Sequence, residues 1–344
     1  MDDRPSILRQ SALLLVAFVA TLVLLVGGRA LIGQAGGAPP VAGGSASAGV
    51  ASLAPAGGTP SGPGVGLTPA PPPIGPDPSG TVVLTGAGDI AVCGSDGARQ
   101  TSDLLLRQEG LFFTAGDNAY DDGTAAEFAD CYDPTWGRVK DRTVLPAAGN
   151  HDWKTAGAAG YLGYFGAIAA PEGVTWYSRD IGAWHIVVLD SDCDQVGGCT
   201  AASPQGRWLA ADLAASSARC TLAIWHHPRF SSGEHGDDDQ VAPFWDLLHR
   251  DGAELVINGH DHDYERFAPQ DPSGKEERPG GIREIVVGTG GAELRTFGRT
   301  APNSELRLAG TAGVLRLTLH PANYDWEFLP VSGEVADSGS TICH

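Results

Sequence analysis

The stretch AELVINGHDHDYE (Ala253–Glu265) runs from an apolar segment straight into two imidazoles, His260 and His262, set two positions apart and interleaved with carboxylates. A short apolar run closed by Asn-Gly reads as a buried strand ending in a turn. Residues i and i+2 of an extended segment point the same way, so both rings can converge on one centre. Two histidines in a turn also occur as an ordinary solvated loop. The reading therefore depends on whether other segments deliver ligand-type side chains to the same place.

Seven apolar runs share this design: TVVLTGAGD, LFFTAGD, TVLPAAGNHD, WHIVVLDSD, CTLAIWHH, AELVINGHDH and REIVVGTGG. Continuous apolar strands of this length are buried on both faces, as in α/β folds. Ser203 followed by Pro204 marks a helix start, and QVAPFWDLLHRDG has helical apolar spacing before Gly252. GVLRLTLHP and YDWEFLPV alternate with period two, as antiparallel strands do. Five strand ends carry candidate ligands: Asp89; Asp117 with Tyr120; Asn150 with His151; His226 with His227; His260 with His262. Ligand sites of open α/β sheets lie beyond the carboxyl ends of strands. Carboxylate, amide and imidazole donors together suit Fe, Mn or Zn. They outnumber the needs of one four-coordinate ion. Two ions about 3.5–4 Å apart, bridged by a carboxylate, clamp the attacking and leaving oxygens of a phosphoryl transfer, so phosphate ester hydrolysis is the expected chemistry.

The chain has 344 residues and a formal charge of −19, from 22 Lys and Arg against 41 Asp and Glu. Such acidity disfavours nucleic acid as a partner. Ser11–Gly28 is uncharged and mostly apolar, flanked by Arg4, Arg9 and Arg29. As a helix it would span about 27 Å, close to the hydrocarbon thickness of a bilayer. Residues 1–32 are therefore expected to form a signal or membrane anchor, which leaves two outcomes, an anchored protein or one secreted after cleavage. Residues 33–80, rich in Gly, Ala, Pro and Ser, read as a disordered tether, and 81–344 as the folded domain. Six cysteines, all beyond the apolar segment, point to disulfides in an oxidising compartment. Cys193 and Cys199 are the readiest pair; the other pairings stay open.

The blocks GDI, GDNAY, GNHD, AIWHHP and GHDHDYER, in this order, resemble those of the calcineurin-like metallophosphoesterases across nearly all of residues 81–344. Most members of that family carry Asp-x-His in the first block. Here Asp89 is followed by Ile90 and Ala91, and Tyr120 stands three residues after Asp117, as in the purple acid phosphatase branch. The resemblance implies an α/β fold, a four-layer α/β/β/α sandwich with two mixed β-sheets. It also implies two metal ions: Fe held by Asp89, Asp117, Tyr120 and His262, and Fe, Zn or Mn held by Asp117, Asn150, His226 and His260. His151 and His235 would then contact phosphate oxygens or protonate the leaving group. Two departures stand out. The fibronectin-like domain of the plant enzymes has no counterpart, and in SSGEHGDDD, where those enzymes have paired histidines, only His235 is present.

The expected function is an exported dinuclear phosphoesterase of acid-phosphatase type, in which a metal-bound hydroxide attacks a small phosphate ester. Monoester against diester is left open, as is oligomeric state, and any membrane contact is expected through the N-terminal segment only. The alternative is a non-catalytic, metal-containing extracellular module that binds a cell-envelope ligand.

Overall fold

All seven apolar runs form strands in the computed structural model, which describes residues 80–344. The expected anchor (1–32) and the tether up to residue 79 lie outside the described residues. Among the described residues no helix is long and apolar enough to cross a membrane.

The first half of the domain contains β1 (Val82–Ala87), β2 (Ala91–Val92), α1 (Gly97–Leu105), β3 (Leu111–Ala115), β4 (Ala119–Tyr120), α2 (Ala125–Glu127), β5 (Thr143–Ala147) and α3 (Ala159–Phe165). Then follow β6 (Tyr177–Ile181), β7 (Trp184–Val188), α4 (Pro204–Ala215), β8 (Cys220–Ile224), α5 (Ala242–Asp251) and β9 (Leu255–Asn258). The remainder is all strand: β10 (Tyr264–Phe267), β11 (Arg283–Val287), β12 (Ser304–Leu308), β13 (Gly313–Leu319), β14 (Asn323–Pro330) and β15 (Asp337–Ile342). Both expected helices form as their sequences dictate. Ser203 caps α4 by accepting the Gly206 N–H, and Gly252 ends α5 in the left-handed conformation that a helix C-terminus favours.

One sheet has the order β15-β14-β13-β1-β3-β5 and the other β12-β10-β11-β9-β8-β7-β6. Each is mixed. β1, β3 and β5 run parallel, as do β7, β8, β9 and β11, and antiparallel strands extend both sheets. Side-chain alternation sorts the layers. Ile186, Leu222, Ile224 and Ile257 pack with Leu84, Phe113, Leu145 and Leu315 between the sheets. Their neighbours Val187, Ala223 and Val256 face the other way, against Leu209 and Leu213 of α4 and Phe244, Trp245 and Leu248 of α5. Two sheets face each other with helices outside, the four-layer α/β/β/α sandwich that the sequence predicts.

All six cysteines are paired, Cys93–Cys131, Cys193–Cys199 and Cys220–Cys343. The expected short pair is present, and the last bridge fastens the end of the chain to the start of β8.

His185 of β7, far from the carboxyl ends of the parallel strands, shows how a buried charge is managed. Its Nδ1 lies 2.8 Å from Asp180 Oδ1 and its Nε2 2.9 Å from Asp212 Oδ2, so both nitrogens donate and the ring is an imidazolium. Burial alone would lower its pKa, but the two carboxylates outweigh that and raise it above the ordinary value of 6.5. A raised folded pKa gives stability that is complete below the unfolded pKa, near 6.5, and is lost as pH rises through the folded value. His185→Gln is therefore expected to lower the melting temperature more at about pH 5.5 than at about pH 9. Equal losses at both pH values would refute the imidazolium assignment.

Candidate metal centre

Five parallel strands aim their carboxyl ends at one point. Asp89 follows β1, Asp117 follows β3 and Asn150 and His151 follow β5, all from one sheet; His226 follows β8 and His260 and His262 follow β9, from the other. Tyr120 enters on the short strand β4. The sheets are joined where Gly88 N–H donates to Val287 O at 3.0 Å. Asp89, Asp117 and His260 adopt φ of 61°, 50° and 72°. Residues with side chains rarely occupy this left-handed region, at a cost of order 1–3 kcal/mol each, and such strain gathers at functional sites.

Two donor clusters result. In the first, Tyr120 Oη lies 2.9 Å from Asp89 Oδ1, 3.0 Å from Asp117 Oδ2 and 3.3 Å from His262 Nε2. In the second, His226 Nε2 lies 3.3 Å from Asp117 Oδ2, 3.1 Å from Asn150 Oδ1 and 3.2 Å from His260 Nδ1. The same oxygen, Asp117 Oδ2, belongs to both.

The donors fit a pair of cations on two counts. Ligands about 2.0–2.2 Å from one ion at 90–110° stand about 3.0–3.5 Å apart, close to the separations found here. The chemistry also leaves acceptors over. One phenol proton faces two carboxylate oxygens and an imidazole nitrogen, and it can satisfy only one of them. The outward nitrogens are already committed: His226 Nδ1 faces Ala115 O at 2.9 Å and His262 Nδ1 faces Glu293 O at 2.6 Å. With those nitrogens donating, as in metal-bound histidines, each Nε2 is the atom left for a cation, which would take the place of a proton there.

The electrostatics follow from burial and proximity. Burial would raise the Asp117 carboxyl, but His226 and His151 hold it well below the usual carboxylate range. Burial would lower His226, but Asp117 and Asp89 push it up to about 10. His260, buried and beside His226, is driven far down and stays neutral. Burial, Asp117 and Asp89 raise the Tyr120 phenol well above 10. Behind them Asp152, raised to about 7 by burial and by Asp117, accepts N–H groups from Asn118 and Gly149 and ties together two of the loops that carry donors.

Of the two histidines expected at the mouth, His151 donates its backbone N–H to Asp117 Oδ1 at 2.8 Å and its Nδ1–H to Asp121 O at 2.5 Å, and holds Nε2 3.9 Å from Asp117 Oδ2. His235 is exposed at the rim, its ring 4.3 Å from that of His260. His227, a candidate ligand by sequence, hydrogen-bonds Ser191 Oγ through Nδ1 (2.8 Å), with its ring 4.3 Å from that of His260. The GTGGAEL segment after β11 reaches the site through Glu293 O, which meets His262 Nδ1. His249 and His320 pair with Glu277 and Asp325, and neither bonds to a donor of the two clusters. Two cations were not foreseen. Lys154 Nζ stands 3.0 Å from His151 Nδ1, and Arg295 Nη1 stands 2.6 Å from His235 Nε2. Lys154 lies three residues past His151, a helical spacing that offered a clue; Arg295 offered none.

A family model described as calcineurin-like phosphoesterase matches residues 87–264. Over 296 residues the chain is 27% identical to purple acid phosphatase 21 of Arabidopsis thaliana, covering 75% of this chain and 64% of that protein. The chain thus spans less than two-thirds of that relative's length. Among solved structures, the purple acid phosphatase PPD1 from yellow lupin seeds aligns with a TM-score of 0.59 at 19% identity, covering 76% of this chain and 53% of that one. GAP50, the anchor in the inner membrane complex of Plasmodium, aligns at 0.55 and 14%, covering 77% and 89%. These structural likenesses show the fold, and the family match spans four of the five blocks whole and the fifth as far as Tyr264. The chain belongs to the calcineurin-like phosphoesterase family.

Proposed function

We propose that the chain hydrolyses small phosphate esters, in the manner of an acid phosphatase, with two metal ions: Fe beside Tyr120, and Fe, Zn or Mn beside Asn150. The observation that carries this reading is the shared oxygen, Asp117 Oδ2, at the junction of two donor clusters. Bound cations would neutralise phosphate charge and lower the pKa of water toward about 7. Asp89, Tyr120 and His262 would hold one, Asn150, His226 and His260 the other, with Asp117 between.

The remaining work falls to the rim. His151 Nδ1 and Lys154 Nζ both donate to the Asp121 carbonyl, which fixes the ring with Nε2 toward Asp117 at the mouth, and the Lys154 ammonium beside it would attract a phosphate oxygen. Arg295 donates to His235 Nε2, leaving the ring proton on Nδ1, where it could pass to a departing alkoxide while the Arg295 guanidinium holds the imidazolate so formed. The three disulfides support work outside the cytoplasm, by a protein either anchored or secreted through its N-terminal segment. A complete donor set favours catalysis over a non-catalytic extracellular module.

Asp117→Ala is expected to reduce hydrolysis of p-nitrophenyl phosphate and bis(p-nitrophenyl) phosphate by about a hundredfold or more, with metal content falling below two ions per folded chain. Near wild-type turnover in that variant would overturn the bridging role.

Tyr120 gives a spectroscopic test. A phenol, pKa near 10, binds as phenolate only to a strongly acidic ion such as Fe(III). Iron-loaded, oxidised protein should show a visible charge-transfer band, and Tyr120→Phe, with iron content matched, should lose it. Identical spectra would remove Tyr120 from the ligand set.

A further inference from the structure

The segment Arg229–His235 carries His235 to the rim without a strand or helix of its own, and its backbone is held by acids instead. Glu284 of β11 accepts the N–H groups of Arg229 at 2.8 Å and Phe230 at 3.1 Å. Asp237 takes Ser231 N–H at 2.9 Å, and Glu265 of β10 takes Ser232 N–H at 2.7 Å. The last amide, that of His235, goes to Asp261 Oδ1 at 2.9 Å. Asp261 Oδ2 accepts the Ser231 hydroxyl, whose oxygen in turn accepts Gly233 N–H at 2.9 Å. Asp261 is fully buried and spends both oxygens on this segment, although it stands in sequence between the two donors His260 and His262. The fit is close enough that a Cβ on Gly233 would sit 2.2 Å from Asp261 Cγ.

We propose that Asp261 is a positioning residue that fixes His235 beside His260, so that His235 can protonate the leaving group. The inference rests on the phosphoesterase reading above. One turn of chain thereby orients two things at once: His260 and His262 face the donor clusters, while the acid between them anchors the proton donor. Without that acceptor, the His235 N–H and the Ser231 hydroxyl lose their buried partner. The tip between Gly233 and Gly236, the latter at φ 77°, is then free to swing His235 off the His260 ring.

The experiment compares an ester with a good leaving group, 2,4-dinitrophenyl phosphate, with a poor one, an alkyl phosphate, in zinc-loaded protein of matched metal content. In Asp261→Ala, kcat for the alkyl ester should fall by about a hundredfold, the scale of a lost general acid, and for the dinitrophenyl ester by under about threefold. His235→Ala should show the same pattern, the double variant should be no worse than either single one, and Asp261→Asn, which keeps an acceptor for His235 N–H, should recover most of the loss. The His235 ring resonances should shift in Asp261→Ala, as the ring leaves the face of His260, and not in Asp261→Asn. Equal losses on both esters, additive losses in the double variant, or unchanged His235 resonances in Asp261→Ala would each overturn the proposal. Wild-type protein inactive on both esters would overturn the phosphoesterase reading instead, and the resonances would still decide whether Asp261 places His235.

Discussion

Everything in this structure depends on two β-sheets bringing their backbones into contact at one edge. A Cβ on Gly88 would lie 2.7 Å from Ala115 O and 3.2 Å from the Cα of Gly259, and one on Gly259 would lie 2.6 Å from both Ala115 O and Asp89 Oδ2. Neither position tolerates a side chain, because strand ends from both sheets meet there. That contact lets donors from five strands share a space a few ångströms across. It also makes the site rigid, since each donor is carried by a strand buried in the core rather than by a free loop.

The second principle is the use of buried acids as backbone acceptors. Asp152, Asp261, Glu265 and Glu284 are all fully buried, and each takes main-chain N–H groups that no strand or helix satisfies. Buried amides need partners, and a carboxylate supplies two oxygens that reach where a second strand cannot. Part of the chain's large complement of acidic residues is thus internal scaffolding rather than solvated surface.

How far the sequence could be read follows from the same physics. The central strands were legible because an apolar run buried on both faces has one economical reading, and the donors were legible because they sit directly where those runs stop. The strands β6, β10, β12 and β15 were missed, since YSRDI, YERF, SELRL and DSGSTI show too little apolar content. The charges of the last three pair with one another, with Arg266 meeting Glu305 in its own sheet and Asp337 of the facing sheet. Cys193–Cys199 could be seen from its short separation; Cys93–Cys131 and Cys220–Cys343 join segments that only the tertiary fold brings together. Arg295 and the role of Asp261 were invisible for the same reason, because their partners lie on a loop some sixty and thirty residues earlier.

The strand order has a consequence for how the chain reaches this state. The strands from β6 to β9 are nearly contiguous in sequence, so half of the second sheet can form as that stretch emerges from synthesis. The first sheet cannot close so early, because its central strand β1 pairs on one side with β3 but on the other with β13, Val82 opposite Leu319. Until then β1 has an open edge, in the slow, non-local class of pairing that exposes an unpaired strand during folding. Asp89, Asp117 and Asn150 follow β1, β3 and β5, whose mutual pairing is complete without β13, so the late strand closes an open edge rather than assembling the donors.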